Sequence, residues 1–193
     1  MLLSQLLQEA CWNGDIQEVH GSIEWGAKME EVGIVFGKAK LSPLVIAATR
    51  GHAFVVWMLL EKGAKVNADR SAGSLTPLIA ASQEGHSPIV QILLNHNADI
   101  NKHDFSFRTA LFHACQLGLV DVLRLLLCQG CDVNGKKSAL LKAVEENRIE
   151  WLSSFLSMVQ RLMFPIASKR LLSRHVDWAT RRLSDCYYIG VLM

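Results

Sequence analysis

Apolar, small and polar positions recur in the same order in three segments of the chain. The segments start at Ser42, Thr76 and Thr109, which lie 34 and 33 residues apart, and each reaches a glycine nine residues after its start. An apolar run then ends in a pair of leucines, and a glycine or asparagine follows three residues later. This order predicts two short helices and a turn in every unit.

The ends of these helices carry residues that helix ends prefer. Ser42 and Thr76 each precede a proline, so the hydroxyl oxygen caps the helix and the proline occupies the first turn, where no N–H is needed. Ser87 before Pro88 predicts the same arrangement for the second helix of its unit. The turns after the second helices need left-handed backbone, which fits the residues found there, Gly63, Asn97 and Gly130.

The repeated order of T-P-L, small residues, G-H, L-L and G-A-x-V-N resembles the ankyrin repeat. Weaker copies at residues 7–27 and 138–156 extend the resemblance to five units. The resemblance implies an all-α fold, an ankyrin-repeat solenoid of helix–turn–helix units joined by β-hairpin loops, with a C-terminal helical extension. The implied ankyrin repeat domain spans residues 1–158, with repeats at 6–37, 38–72, 73–104, 105–134 and 135–158, and residues 159–193 form the basic extension.

The C-terminal extension differs in charge from the repeats. Residues 160–193 carry six Lys or Arg and two Asp, and apolar residues recur at helical spacing between Ala167 and Leu183. One interpretation is a cap that covers the apolar end of the solenoid. The other is a docking helix for a further subunit.

Two features depart from the ankyrin pattern. The histidine that usually follows T-P-L is replaced by Val45, Ile79, Phe112 and Leu141, so we expect its bridging hydrogen bonds to be absent and packing to compensate. The first hairpin, residues 27–42, is longer than the others and contains an apolar stretch between two glycines. Either a folded-back lid or a contact finger would explain that stretch.

Composition and charge narrow the function classes. Half of the residues are hydrophobic and the net charge is +2, which favours a globular chain and gives no reason to expect nucleic acid as a partner. No run of apolar residues is long enough for a membrane span. Five cysteines at irregular spacing do not predict a disulfide framework, so we expect a protein of the cytoplasm or the nucleus.

We find no catalytic constellation, and we expect no cofactor, no metal and no small-molecule substrate. His52 and His86 occupy the G-H position of the repeat and are expected to be structural. The other histidines are scattered. Cys128 and Cys131 form an isolated C-x-x-C, whereas a zinc site needs a second pair of ligands.

The resemblance implies a protein-binding module rather than an enzyme. The leading hypothesis is an intracellular adaptor or scaffold that binds a partner protein through the concave face of the solenoid. One alternative is a substrate-recognition subunit of a ubiquitin ligase, in which residues 165–183 would take the place of a helical box. Another is a regulatory fragment of a longer enzyme.

The ankyrin register predicts which residues face the groove. The two residues before each central glycine lie at the end of the first helix, and a hairpin tip adds aromatic and cationic residues, which often dominate interface energies. Phe107 stands where the family has a glycine, and packing onto the next repeat is an alternative for that residue. The predicted partner-binding residues are Trp12, Asn13, Arg50, Gln83, Glu84, Phe105, Arg108, Gln116 and Leu117.

Two hairpin asparagines are candidates for modification. Ankyrin hairpins are substrates of an intracellular asparaginyl hydroxylase that favours a leucine eight residues before the asparagine and an acidic residue two before it. Asn101 and Asn134 have both features, whereas Asn67 lacks the acidic residue. The alternative interpretation is that these side chains brace the hairpins.

Overall fold

The computed structural model describes residues 2–31, 33–34, 40–67 and 75–132. This part of the chain contains four helix–turn–helix units, as the sequence predicts. The predicted fifth repeat, the C-terminal extension, Asn134 and residues 35–39 of the apolar loop lie outside the described residues.

The four units contribute one helix each to two layers. The first helices pack against one another in chain order, and the second helices do the same on the other side. We call the first set the inner helices and the second set the outer helices. The inner helices are α1 (Leu2–Asn13), α3 (Pro43–Arg50), α5 (Pro77–Gln83) and α7 (Ala110–Leu117), and the outer helices are α2 (Ile16–Glu24), α4 (Ala53–Glu61), α6 (Ser87–Asn95) and α8 (Val120–Cys128).

Hydroxyl caps start three of the inner helices. The side-chain oxygens of Ser42, Thr76 and Thr109 accept hydrogen bonds from backbone N–H groups three residues on, at 3.4, 3.1 and 3.3 Å. The corresponding prediction for Ser87 is wrong. Helix α6 begins at Ser87 itself, and His86 takes the cap position without a side-chain cap bond.

Histidines after the central glycines have a structural role, as predicted, and the structure shows that they join neighbouring units. Nε2 of His52 donates to the carbonyl oxygen of Trp12 at 3.0 Å, and Nε2 of His86 donates to that of Thr49 at 3.1 Å. The glycine of the preceding unit makes room for the ring, since a Cβ on Gly14 would lie 2.5 Å from Nδ1 of His52. Its φ of +78° also favours glycine.

The core runs between the two layers along the whole described solenoid. The column that lacks the usual histidine is buried, at Val45, Ile79 and Phe112, so packing does compensate there. The expected leucine ridge is also buried, with Leu94 half-buried. Ser22, a polar residue of the first unit, is buried as well.

Asparagine side chains tie the described parts of the connections between units to one another. Asn67 Oδ1 accepts from the N–H of Asp99 at 2.8 Å, and its Nδ2 donates to the carbonyl oxygen of Asn97 at 2.9 Å. Asn97 has the predicted left-handed backbone, with φ of +60°. In the long first hairpin, β1 (Gly33–Ile34) pairs antiparallel with β2 (Lys40–Leu41).

Candidate partner-binding groove

Residues at the C-terminal ends of the inner helices form an exposed row. Asn13, Arg50, Glu84 and Leu117 each stand directly before a central glycine, and all four are exposed. They occupy the same position in successive units, so the packing of the inner helices places them side by side. We call these four residues the groove row.

Arg50 is oriented by an aromatic neighbour from the preceding unit. Its guanidinium carbon lies 4.6 Å from the ring centroid of Trp12, which is a cation–π contact. Glu84 is the next member of the row, yet no ion pair within the described residues involves Arg50 or Glu84. Two adjacent and opposite charges therefore face solvent separately.

The residues just before the groove row are half-buried, and they include Gln83 and Gln116. The side-chain nitrogen of Gln83 lies 3.3 Å from Nδ1 of His113 on the neighbouring inner helix α7. Gln83 therefore joins the end of α5 to the neighbouring inner helix α7.

The hairpin tip at residues 104–108, which we call the tip loop, is organised by one carboxylate. Oδ1 of Asp104 accepts from the backbone N–H groups of Ser106 at 2.7 Å and Arg108 at 3.0 Å. Oδ2 accepts from Nε of Arg108 at 3.0 Å and from Nε2 of His113 at 3.1 Å. A single buried side chain thus fixes the loop and joins it to helix α7.

Two phenylalanines project from this loop. The side chain of Phe105 is 72% exposed. Phe107 is 46% exposed, its ring centroid lies 4.9 Å from that of His103, and its φ is +58°. This left-handed backbone is costly for a bulky residue, so the loop depends on the hydrogen bonds of Asp104 to keep its shape.

The charges in the loop are set by its surroundings. Burial raises the pKa of the Asp104 carboxyl, but hydrogen bonds from Arg108, His113 and Ser106 and the charge of Arg108 outweigh it and hold that pKa below its usual value. Burial, helped by the charge of Arg108, lowers the pKa of the His113 imidazole against the opposing effect of Asp104. At neutral pH, His113 is therefore neutral and donates from Nε2 to the ionised Asp104.

These contacts join the groove row to the tip loop. Gln83, which precedes Glu84 in the chain, contacts His113. His113 in turn donates to Asp104, the residue before Phe105. Leu117 lies one helical turn beyond His113 on α7, so both residues lie on the same helix face. Hydrogen bonds through Gln83 and His113 therefore connect the groove row to the loop that carries Phe105.

Asp104 and His113 are not among the residues predicted from the sequence, and Arg108 was predicted only as a contact residue. The structure shows that Arg108 also has an internal role, because its Nε is bound to Asp104. One local signal for Asp104 was available. An Asp at the start of a turn often forms an Asx-turn, in which its side chain accepts a hydrogen bond from the backbone N–H two residues later, here that of Ser106. The partner on α7 leaves no such local signal.

Asn101 braces the next hairpin. Its Oδ1 accepts from the N–H of Asp132 at 2.8 Å, as the structural interpretation of these asparagines expected. Its hydroxylation stays a prediction, and Asn134 lies beyond the described residues.

A second exposed aromatic pair lies on the outer helix α4, away from the groove row. Phe54 and Trp57 are 52% and 43% exposed, and their ring centroids are 5.3 Å apart. This pair provides a reference surface for binding experiments, because it resembles the tip loop in residue type and exposure.

The cysteines of the described region offer little reactivity at their buried positions. Burial raises the pKa of Cys131 to about 12, so the C-x-x-C sequence combines an exposed Cys128 with an unreactive thiol. Across the described residues, no three His, Cys, Asp or Glu side chains come together as metal ligands. No helix within that part of the chain has the length and apolar character needed to cross a membrane.

Comparison with protein families agrees with the architecture. Residues 7–104 match the family described as ankyrin repeats in three copies, and residues 107–138 match the ankyrin repeat once more. A search of curated proteins finds no match for the chain.

Proposed function

Because the chain belongs to the ankyrin-repeat family, we propose that it is an intracellular adaptor or scaffold that binds a partner protein through the groove row and the tip loop. Ankyrin repeats are protein–protein interaction modules, and families that contain them are typically non-catalytic. The observation that carries the proposal is the exposed Phe105 on a loop whose backbone is held by Asp104.

The physical support is preorganisation. An exposed phenylalanine buries a large apolar area when a partner covers it, and it loses little rotamer freedom. A loop that is already ordered avoids the entropy cost of ordering on binding. The proposed contact set consists of Trp12, Asn13, Arg50, Gln83, Glu84, Phe105, Arg108, Gln116 and Leu117.

The ubiquitin-ligase and enzyme-fragment alternatives depend on sequence beyond Asp132. Residues 165–183, the place of a helical box, lie outside the described residues. A pull-down with residues 1–193 and 1–160 separates these hypotheses, since loss of cullin-type partners together with the tail would favour the ligase. Partners kept by both lengths would favour the adaptor.

The test of the groove compares two matched phenylalanine truncations. A purified partner identified by cross-linking to the full chain is titrated against the parent, Phe105→Ala and Phe54→Ala. We expect Phe105→Ala to weaken binding by about 1–3 kcal/mol, as a central aromatic contact does, and Phe54→Ala to leave it unchanged. Phe105→Ala is a cleaner test than Arg108→Ala, because Arg108 also holds Asp104.

Circular dichroism and thermal unfolding of each variant establish that the fold is retained. If Phe105→Ala binds as the parent does while Phe54→Ala or Trp57→Ala abolishes binding, the partner uses the outer helices and the groove assignment is wrong.

A further inference from the structure

We infer that the groove row selects an extended segment of the partner that presents an acidic, a basic and an apolar residue, about three residues apart, to Arg50, Glu84 and Leu117 respectively, in either chain direction. The inference rests on the proposed function, because it assigns the chemistry of a partner at the same surface. It goes beyond that function by naming a ligand pattern.

The charge order comes from two neighbouring residues. Arg50 and Glu84 hold the same register position in adjacent units, both are exposed, and no ion pair joins them. A ligand with one charge of each sign matches both residues, whereas a ligand of uniform charge matches one and is repelled by the other.

Arg50 is prepared for a carboxylate. Its contact with Trp12 limits the orientations of the guanidinium and leaves the planar donor groups for a ligand. A guanidinium binds a carboxylate with two parallel hydrogen bonds, which a single backbone carbonyl does not reproduce. This favours an acidic side chain opposite Arg50.

The apolar end of the pattern follows from α7 and the tip loop. Leu117, the last described member of the row, is 47% exposed. His113, one helical turn before Leu117 on α7, donates to Asp104 of the tip loop, and this loop carries Phe105. An apolar ligand residue at this end of the row would bury area against Leu117, and Phe105 offers a further apolar side chain on the attached loop.

The spacing follows from the stacking of the units. Packed helices lie about 8–10 Å apart, and a segment in the extended polyproline II conformation advances about 3.1 Å per residue with about three residues per turn. Every third side chain of such a segment lies on the same face, so ligand residues three positions apart match successive members of the row.

The experiment uses synthetic peptides and the full chain. The first peptide has the core Asp-Ser-Ser-Lys-Ser-Ser-Leu, and the second exchanges its two charges to give Lys-Ser-Ser-Asp-Ser-Ser-Leu. Both are also made in reversed order, because either chain direction can present the series to the row. Fluorescence polarisation of labelled peptides measures binding to the parent and to the double variant Arg50→Glu with Glu84→Arg.

We expect the parent to prefer the first peptide over its charge-exchanged form about tenfold in at least one direction, a size typical of two exposed charge pairs. The double variant should reverse the preference. A matched exchange on the outer surface, Glu61→Lys with Lys62→Glu, also preserves net charge and should leave the parent preference unchanged. High salt should reduce the preference, since it screens exposed pairs.

Equal binding of both peptides, a preference that the groove exchange does not reverse, or no binding of any peptide at millimolar concentration overturns the inference. The proposed function fails separately. If the natural partner still depends on Phe105 while the peptides show no charge preference, the groove binds protein but does not read this pattern.

Discussion

Replacement of Asp104 by alanine tests whether one carboxylate holds the tip loop. The side chain accepts two backbone N–H bonds and two side-chain bonds, from Arg108 and His113. The backbone N–H groups of Ser106 and Arg108 and the Arg108 guanidinium belong to half-exposed residues. Water can therefore replace the Asp104 carboxylate as their hydrogen-bond acceptor at modest cost. The imidazole of His113 is buried, and its N–H would lose its acceptor.

The expected loss is about 2–4 kcal/mol of unfolding free energy. A buried donor without a partner costs about 1–3 kcal/mol, and a hydrogen bond to a charged group contributes about 1.5–3 kcal/mol, with overlap between the two terms. Asp104→Asn should lose about half as much, because its amide oxygen can still accept from the backbone while its NH₂ cannot accept from His113 or Arg108.

Urea unfolding followed by circular dichroism measures the effect, with an unchanged m-value as evidence that the unfolding transition is comparable. Asp99→Ala is the matched control, since Asp99 is an exposed hairpin residue whose carboxylate accepts one local N–H at 3.1 Å. A loss for Asp104→Ala within about 0.5 kcal/mol of zero, the range typical of surface sites, would refute the role assigned to Asp104.

Three further predictions address the core, the pH response and modification. Leu93→Ala should destabilise the solenoid by about 2–5 kcal/mol in urea unfolding, because Leu93 is fully buried, whereas Leu117→Ala should change stability little. The lowered pKa of His113 means that its unfolded form binds protons more readily, so stability should fall as pH drops below about 6.5, and the fall should be smaller in His113→Phe. Co-expression with an asparaginyl hydroxylase should add oxygen to Asn101 but not to Asn67 by mass spectrometry, and an unmodified Asn101 would contradict the motif.

Local rules predict the helices because the determinants lie within a few residues of each boundary. Ser42 and Thr76 cap through N–H groups three residues away, so the chain sequence alone contains the interaction. The prediction that Ser87 caps α6 was wrong because the turn at Gly85 and His86 places the cap position at His86, so Ser87 is already the first helical residue. A capping residue followed by proline therefore depends on the turn that precedes it.

The groove was predicted less completely because its contacts join different units. The register places Arg50 and Glu84 at exposed helix ends, but not the contact between Arg50 and Trp12. Likewise, Asp104 and His113 are nine residues apart and lie on a loop and a helix, so their hydrogen bond depends on how the hairpin folds onto α7. The positions of the histidines in the sequence do not show which of them will form a hydrogen bond to a carboxylate.

Phe107 shows why the tip loop is more than a connection. The turn needs left-handed backbone, which a glycine adopts without strain and a phenylalanine adopts only at a cost of about 1–2 kcal/mol. Asp104 offsets that cost with two backbone hydrogen bonds and links to Arg108 and His113. A chain that needed only a stable hairpin would be served by glycine and no buried carboxylate. Backbone strain that the surroundings must hold in place is found mostly at functional sites, so the strained Phe107 beside the exposed Phe105 supports the tip loop as the centre of partner binding.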